Sequence, residues 1–220
     1  ERHVVLGPNG AGKTTLFNTI LGEIKPATGR VRLFGDDMTS RSVKYRVRHG
    51  LGKTFQQPEL LAGLSVYDNL LLSVRGRIGP RSSIRVPRSR QDEAERLVDA
   101  ALDAVGVGSV AQQMVHELSH GQAKQLEIAM ALSAGAKLIL LDEPASGLSA
   151  GERKRITSVI DGLDRSVTVV VIEHDMAMAF HIADRLTVIQ QGEVIATGDP
   201  DYIRTSPEVR AAYLGGEVDE

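Results

Sequence analysis

The sequence has no cysteine, which excludes a disulfide scaffold and a thiolate zinc site and fits a reducing compartment. It has no apolar stretch near the roughly 20 residues that a helix needs to cross a bilayer; the longest runs, such as Val167 to Ile172, are strand-sized. It has almost no excess charge, with 26 basic and 28 acidic side chains and a net charge of -2. No global polycation is therefore present to attract nucleic acid, which is not expected as a partner. Aromatic residues make up only 4%, and no repeat at solenoid spacing is visible. What the chain has in quantity is aliphatic residues and glycine, with 42% hydrophobic residues and 22 Gly among 220 positions. That length suits one domain, or one domain with a smaller lobe, burying roughly 70% of its unfolded surface.

Strand and helix signals alternate, which predicts an α/β fold built on a mainly parallel sheet with helical crossovers. Val4–Leu6 reads as a strand that leads through a glycine-rich turn into a helix over Lys13–Leu21. Val31–Phe34 and Leu51–Phe55 read as further strands. Leu97, Val98, Ala101, Leu102 and Val105 share one face of a helix over 92–105. Ser119 is placed to cap a helix running to about Ala134. Lys137–Leu141 and Val167–Ile172 are continuous apolar runs, as expected of strands covered on both faces. Arg185–Gln190 and Glu193–Thr197 flank Gln191-Gly192, the pattern of a hairpin. Between Arg75 and Arg90, six arginines sit among Gly, Pro and Ser without an apolar period. That composition predicts a solvated loop, with a basic face for a membrane surface or partner subunit as the sharper alternative.

Gly7-Pro8-Asn9-Gly10-Ala11-Gly12-Lys13-Thr14 matches the phosphate-binding pattern G-x-x-x-x-G-K-[ST] in full, with a strand before it and a helix after it. The glycines let the backbone wrap a phosphate chain so that N–H groups and the helix N-terminus face the anion. Lys13 adds a point charge for the β- and γ-phosphates, and the Thr14 hydroxyl can ligate Mg²⁺. Leu138-Ile139-Leu140-Leu141-Asp142-Glu143 supplies the complementary half: a buried strand that carries two carboxylates to its C-terminal end, where open parallel sheets bind ligands. Asp142 is the candidate Mg²⁺ ligand, and Glu143 the candidate for polarising an attacking water.

With these motifs in order, the chain resembles the ATP-binding-cassette (ABC) ATPases. Leu118-Ser119-His120-Gly121-Gln122 is similar to their signature motif, with His120 departing at the third position. Gln56 after Phe55 matches the family's Q-loop, and His174 within Val171-Ile172-Glu173-His174-Asp175 matches its switch histidine. The signature variant, Lys53-Thr54-Phe55-Gln56, and the ending from Gly192 to Gly198 with Ala212-Tyr213-Leu214-Gly215 resemble the ATPase subunits of branched-chain amino acid, urea and amide importers.

The resemblance implies a P-loop ABC nucleotide-binding domain over 1–220, with a core lobe of about 1–55 and 137–220 and a helical signature lobe of about 58–135. It implies ATP and Mg²⁺ as cofactors. Gly7, Pro8, Asn9, Gly10, Ala11, Gly12, Lys13, Thr14 and Thr15 would bind the nucleotide, and Thr14, Gln56 and Asp142 would hold the metal. Glu143, His174 and Gln56 would be catalytic, while Ser119, Gly121 and Gln122 would close on the nucleotide of a second subunit in a head-to-tail dimer. Separate transmembrane permease subunits, an indirect periplasmic or extracellular binding protein, and a peripheral position on the cytoplasmic side of the membrane follow from the same likeness. Two departures stand out. Ser149 occupies the place of the family's usual Asp in Ser146-Gly147-Leu148-Ser149, and only six residues, none aromatic, precede Gly7. The second departure predicts that the family's first strands and its adenine-stacking aromatic lie upstream of Glu1. An alternative, a soluble cassette acting on DNA or ribosomes, is disfavoured by the -2 charge and by the lack of cysteine, heptads and a second cassette. A regulator without turnover is disfavoured by the intact Lys13, Asp142, Glu143 and His174.

Overall fold

The computed structural model describes residues 1–54, 60–78 and 88–214, with side chains through 211. They divide into two compact units, one of Glu1–Lys53, Leu138–Pro144 and Arg165–Glu220, the other of Thr54–Lys137 and Ala145–Asp164. The elements of the first unit are β1 (Arg2–Leu6), α1 (Lys13–Leu21), β2 (Arg32–Leu33), β3 (Asp36–Asp37), α2 (Val43–Arg48) and β4 (Leu51–Lys53). The second unit intervenes with α3 (Val66–Ile78), α4 (Arg88–Val105) and α5 (His120–Ser133), and the first resumes with β5 (Leu138–Asp142). After α6 (Ala150–Gly162) of the second unit come β6 (Thr168–Ile172), α7 (Met176–Ile182), β7 (Arg185–Gln190), β8 (Glu193–Gly198), α8 (Pro200–Thr205) and α9 (Pro207–Leu214).

The first unit is built on a six-stranded sheet in the order β4-β5-β6-β1-β7-β8. Every pairing is parallel except β7 with β8. β1 therefore lies inside the sheet, with Val4 opposite Val171 on one side and Leu186 on the other. Alternation along β1 and β5 sends Val5, Leu138 and Leu140 into one core with Phe17 and Leu21 of α1, Met38, Leu51 and Ile172. Phe17 and Leu140 are fully buried. Four residues apart, Phe17 and Leu21 form the helix stripe that seals this face. Helix α1 ends at Gly22, whose φ of 93° is the left-handed cap glycine adopts at little cost. The buried Arg46 guanidinium donates to the carbonyls of Thr19 and Ile20 in the same turn.

The second unit packs α3, α4 and α5 against one another, with α6 on α4 and α5. Its core takes Leu70 and Val74 from α3, Val98 and Leu102 from α4, Leu126 and Ile128 from α5, and Ile156 and Ile160 from α6. α6 follows β5 in the chain, yet groups with these helices rather than with the strands.

Four expectations change. The strand expected over Val31–Phe34 shrinks to Arg32–Leu33, because Phe34 and Gly35 turn with φ of 54° and 91° into β3. The loop expected over Arg75–Arg90 is helical at both ends: Arg75 and Arg77 lie in the last turn of α3, and Arg88 and Arg90 open α4. The described residues of the stretch are exposed or half-buried, and the turns they form continue helices that are buried further in, at Val74 and Ala94. Arg81 and Arg85 lie outside the described residues, as do Phe55 and Gln56. The strand expected over Leu51–Phe55 runs from Leu51 to Lys53. The expected helix over 92–105 starts four residues earlier, and Leu97 sits at the margin of its buried face.

Candidate nucleotide site

Strand β1 delivers the chain to a turn whose shape depends on missing side chains. A Cβ on Gly7 would run into the backbone carbonyl oxygen of Ile189 in β7. Gly10 and Gly12 hold φ of 79° and 98°, a region only glycine enters readily, and a Cβ at Gly10 would meet open space. The Ala11 N–H donates to the Pro8 carbonyl at 3.2 Å, and α1 begins with the Leu16 N–H on the Gly12 carbonyl. First-turn N–H groups of α1 lack partners within the helix, and the exposed Thr14 and Thr15 sit on that turn. Lys13 is only 7% exposed. Its ammonium folds back over the turn and donates to the carbonyls of Gly7 at 2.7 Å and Pro8 at 2.9 Å. Burial lowers its pKa, and the charges of Glu143 and Asp142 oppose that shift.

Asp142 ends β5 and is buried. The next residue, Glu143, has φ of 46°, a left-handed conformation that costs a non-glycine residue about 1–2 kcal/mol. Its N–H donates to the Ile172 carbonyl at 3.0 Å, which fixes the turn against β6. Glu143 Oε1 stands 3.8 Å from His174 Nδ1. Glu173, with no exposed surface, accepts hydrogen bonds from the N–H groups of His174 at 2.9 Å and Asp175 at 3.1 Å. Its carboxylate is also 3.7 Å from His174 Nδ1. Asp175 caps α7 through the Met178 N–H. Gly7, Pro8, Asn9, Glu143 and His174 line a pocket of about 330 Å³. An ammonium, helix-end N–H groups and hydroxyls against two carboxylates and an imidazole form a donor set suited to a phosphate chain. Thr14 and Asp142 offer hard oxygens of the kind Mg²⁺ takes beside phosphate.

In the second unit, the Ser119 hydroxyl caps α5 by accepting the Gln122 N–H at 3.3 Å, and the Gln122 side chain accepts the Ser119 N–H at 2.9 Å. Ser149 and Glu152 form the same reciprocal box at the start of α6. The two caps meet: Glu152 Oε1 accepts the Gly121 N–H at 3.1 Å, while Oε2 accepts the Ser149 N–H and hydroxyl at 3.1 and 2.7 Å. A Cβ on Gly121 would stand 2.8 Å from Glu152 Cγ, so glycine is required for the approach.

The family model for ABC transporters matches residues 1–146 of this chain. The chain belongs to that family. A second model, for branched-chain amino acid ATP-binding cassette transporters, matches residues 193–219 of the same cassette. The cassette is 36% identical to the high-affinity branched-chain amino acid transport ATP-binding protein BraF of Pseudomonas aeruginosa, over 98% of this chain and 88% of the relative. It superposes on cbiO1 of Clostridium perfringens, part of the ABC transporter complex cbiONQ, with a TM-score of 0.80 at 29% identity, over 99% of this chain and 84% of the other. A dimeric ATP-binding cassette in a post-hydrolysis state with ADP and phosphate gives a TM-score of 0.75 at 25% identity, over 91% and 85%. ATP binding and hydrolysis are the activity of such ABC subunits.

Within this ABC cassette, the phosphate loop from Gly7 to Thr15 lies in the first unit together with Asp142, Glu143 and His174. Ser119, Gly121 and Gln122 lie in the second unit, and Gln56 lies outside the described residues. Sequence reasoning passed over Glu173 and Glu152. The Ser149-x-x-Glu152 spacing is a readable capping box, whereas the second partner of Glu152, thirty-one positions back, leaves no local trace. For Glu173 the only signal was a carboxylate closing the apolar run of β6.

Proposed function

We propose that this chain hydrolyses ATP for an importer of branched-chain amino acids or related amides and urea, acting on separate transmembrane permease subunits. Lys13 and the loop N–H groups hold the β- and γ-phosphates. Thr14, Asp142 and Gln56 hold Mg²⁺, which when bound neutralises phosphate charge. Glu143 accepts the proton of the attacking water as its oxygen bonds to the γ-phosphorus and the bond to ADP breaks. His174 contacts the γ-phosphate, held from behind by Glu173. Two cassettes pair head to tail, and Ser119, Gly121 and Gln122 of each close over the nucleotide of the other. A relative of known structure is dimeric with ADP and phosphate bound, which supports this arrangement. Among the described residues no helix is long and apolar enough to cross a membrane. By its likeness to transporter ATP-binding subunits, the cassette acts peripherally on the cytoplasmic face, with a periplasmic or extracellular binding protein as an indirect partner.

For the solute, the supporting observation is the match of residues 193–219 to the branched-chain amino acid cassette model. The test is uptake of labelled leucine, isoleucine, valine, urea and acetamide by cells with and without this chain. At least one uptake rate is expected to fall to background and to return with the intact chain but not with Glu143→Gln. Unchanged uptake of all five would overturn the solute class and leave the ATPase assignment in place.

A further inference from the structure

The N-terminus of α5 carries an anion of its own. Ser119, Gly121 and the first turn of α5 present a hydroxyl and backbone N–H groups of the kind that seek negative charge. In this structure the Gly121 N–H is given to Glu152 Oε1 at 3.1 Å. The other oxygen of the same carboxylate is held by Ser149, so one side chain joins the ends of α5 and α6. Hydrogen bonds from the Ser149 and Ser119 hydroxyls and from the N–H groups of Gly121 and Ser149 draw its pKa down to about 2. It therefore remains ionised across the physiological range.

Resting on the head-to-tail reading above, we infer that Glu152 is an internal stand-in for the partner's γ-phosphate, seated on the Gly121 N–H until nucleotide displaces it. The two anions need the same donor, and the one already there repels the one arriving. Displacement frees Oε1 while Oε2 stays on Ser149, so occupancy of the signature turn is transmitted to the turn that begins α6. The Glu152 side chain also fills the place a Cβ on Gly121 would take, so it stands directly over this turn. Glu152 is thus a positioning residue with an autoinhibitory resting contact. The phosphate loop lies in the other unit, so loading of a single cassette does not require the exchange.

The experiment measures MgATP-dependent dimerisation by size-exclusion chromatography and light scattering in the slow Glu143→Gln background, with Glu152 intact, Glu152→Gln and Glu152→Ala, alongside nucleotide affinity and Tm. Removing a charge that competes for a phosphate donor should tighten the ATP dimer about tenfold in both variants and leave monomer affinity for ATP within twofold. A residue that only caps α6 would instead lower Tm in Glu152→Ala and give no tighter dimer in either variant, which overturns the inference. If the Glu152-intact protein binds MgATP yet stays monomeric at every concentration, the head-to-tail reading fails, and the inference with it. The comparison of the three chains separates these two failures.

Discussion

Two glycines of the phosphate loop are needed for different reasons, and the difference shows how a single atom decides this site. At Gly7 a Cβ has nowhere to go because a neighbouring strand's carbonyl occupies the space; at Gly10 space is free, but the backbone angle excludes other residues. Lys13, two positions further along from Ala11, is the one loop side chain that reaches back over them. Its ammonium now bonds to two loop carbonyls, neutral acceptors that a phosphate would replace with anionic oxygens. Truncation should therefore act on ligand affinity and barely on fold. Lys13→Ala is expected to weaken ATP binding by about tenfold to more than a hundredfold, as a charge-assisted contact worth about 1.5–3 kcal/mol implies, with the circular dichroism spectrum unchanged. Titration calorimetry checks this, and an affinity within twofold of the parent would contradict it. At this scale the sequence was most legible in the placement of Lys13 at the start of α1 and of Glu143 just after β5. It was silent on Glu143's left-handed backbone, which arises from a hydrogen bond to a strand twenty-nine positions later.

Helices and strands were readable where their signal is local. Helix α1 runs over the expected Lys13–Leu21 because its apolar stripe lies within it and Gly12 and Gly22 bound it on either side. The Gln191-Gly192 hairpin follows from two residues that tolerate φ of 51° and 84°. The ends of α3 and α4 were not legible in the arginine-rich stretch, because those turns are exposed, carry no apolar period and only continue helices buried further in, at Val74 and Ala94. The joined caps of α5 and α6 are likewise a tertiary feature built from two local ones, and they carry a pH signature. Glu152 has its pKa lowered from the ordinary 4.5 to about 2 by the hydroxyls and N–H groups around it. Its contribution to stability is present above about pH 4.5 and is lost as pH falls toward 2, because the unfolded chain takes up the proton first. The stability difference between the parent and Glu152→Gln should accordingly shrink across that window and stay level above it. Urea unfolding at a series of pH values between 2 and 7 measures it, and a constant difference would show that the charge of Glu152 is not what holds the caps.

For the molecule as a whole, the proposed role of Glu143 predicts that turnover and assembly separate there. Glu143→Gln keeps side-chain volume but cannot accept the proton of the attacking water. ATP should bind normally, turnover should fall by about 10²–10⁴-fold as for a lost general base, and a dimer should persist with MgATP. A steady-state phosphate assay and light scattering provide the two readouts. Hydrolysis at the parent's rate would exclude Glu143 as the base, whereas ATP binding without a dimer would spare the base and remove the two-site arrangement.

The hairpin between β7 and β8 also has a bearing on how the chain comes into being. The Gly192 N–H donates to the Ala11 carbonyl at 3.0 Å, and the Gly7 backbone rests against Ile189. β1 lies between β6 and β7, which leave the ribosome more than 160 residues after it. Contacts so distant in sequence form slowly and only after their partners exist. A nascent cassette therefore carries its phosphate-binding sequence without the phosphate-binding shape until β6 and β7 have been made. Competence to hold nucleotide waits for those two strands, so a chain interrupted before them is born unable to bind ATP.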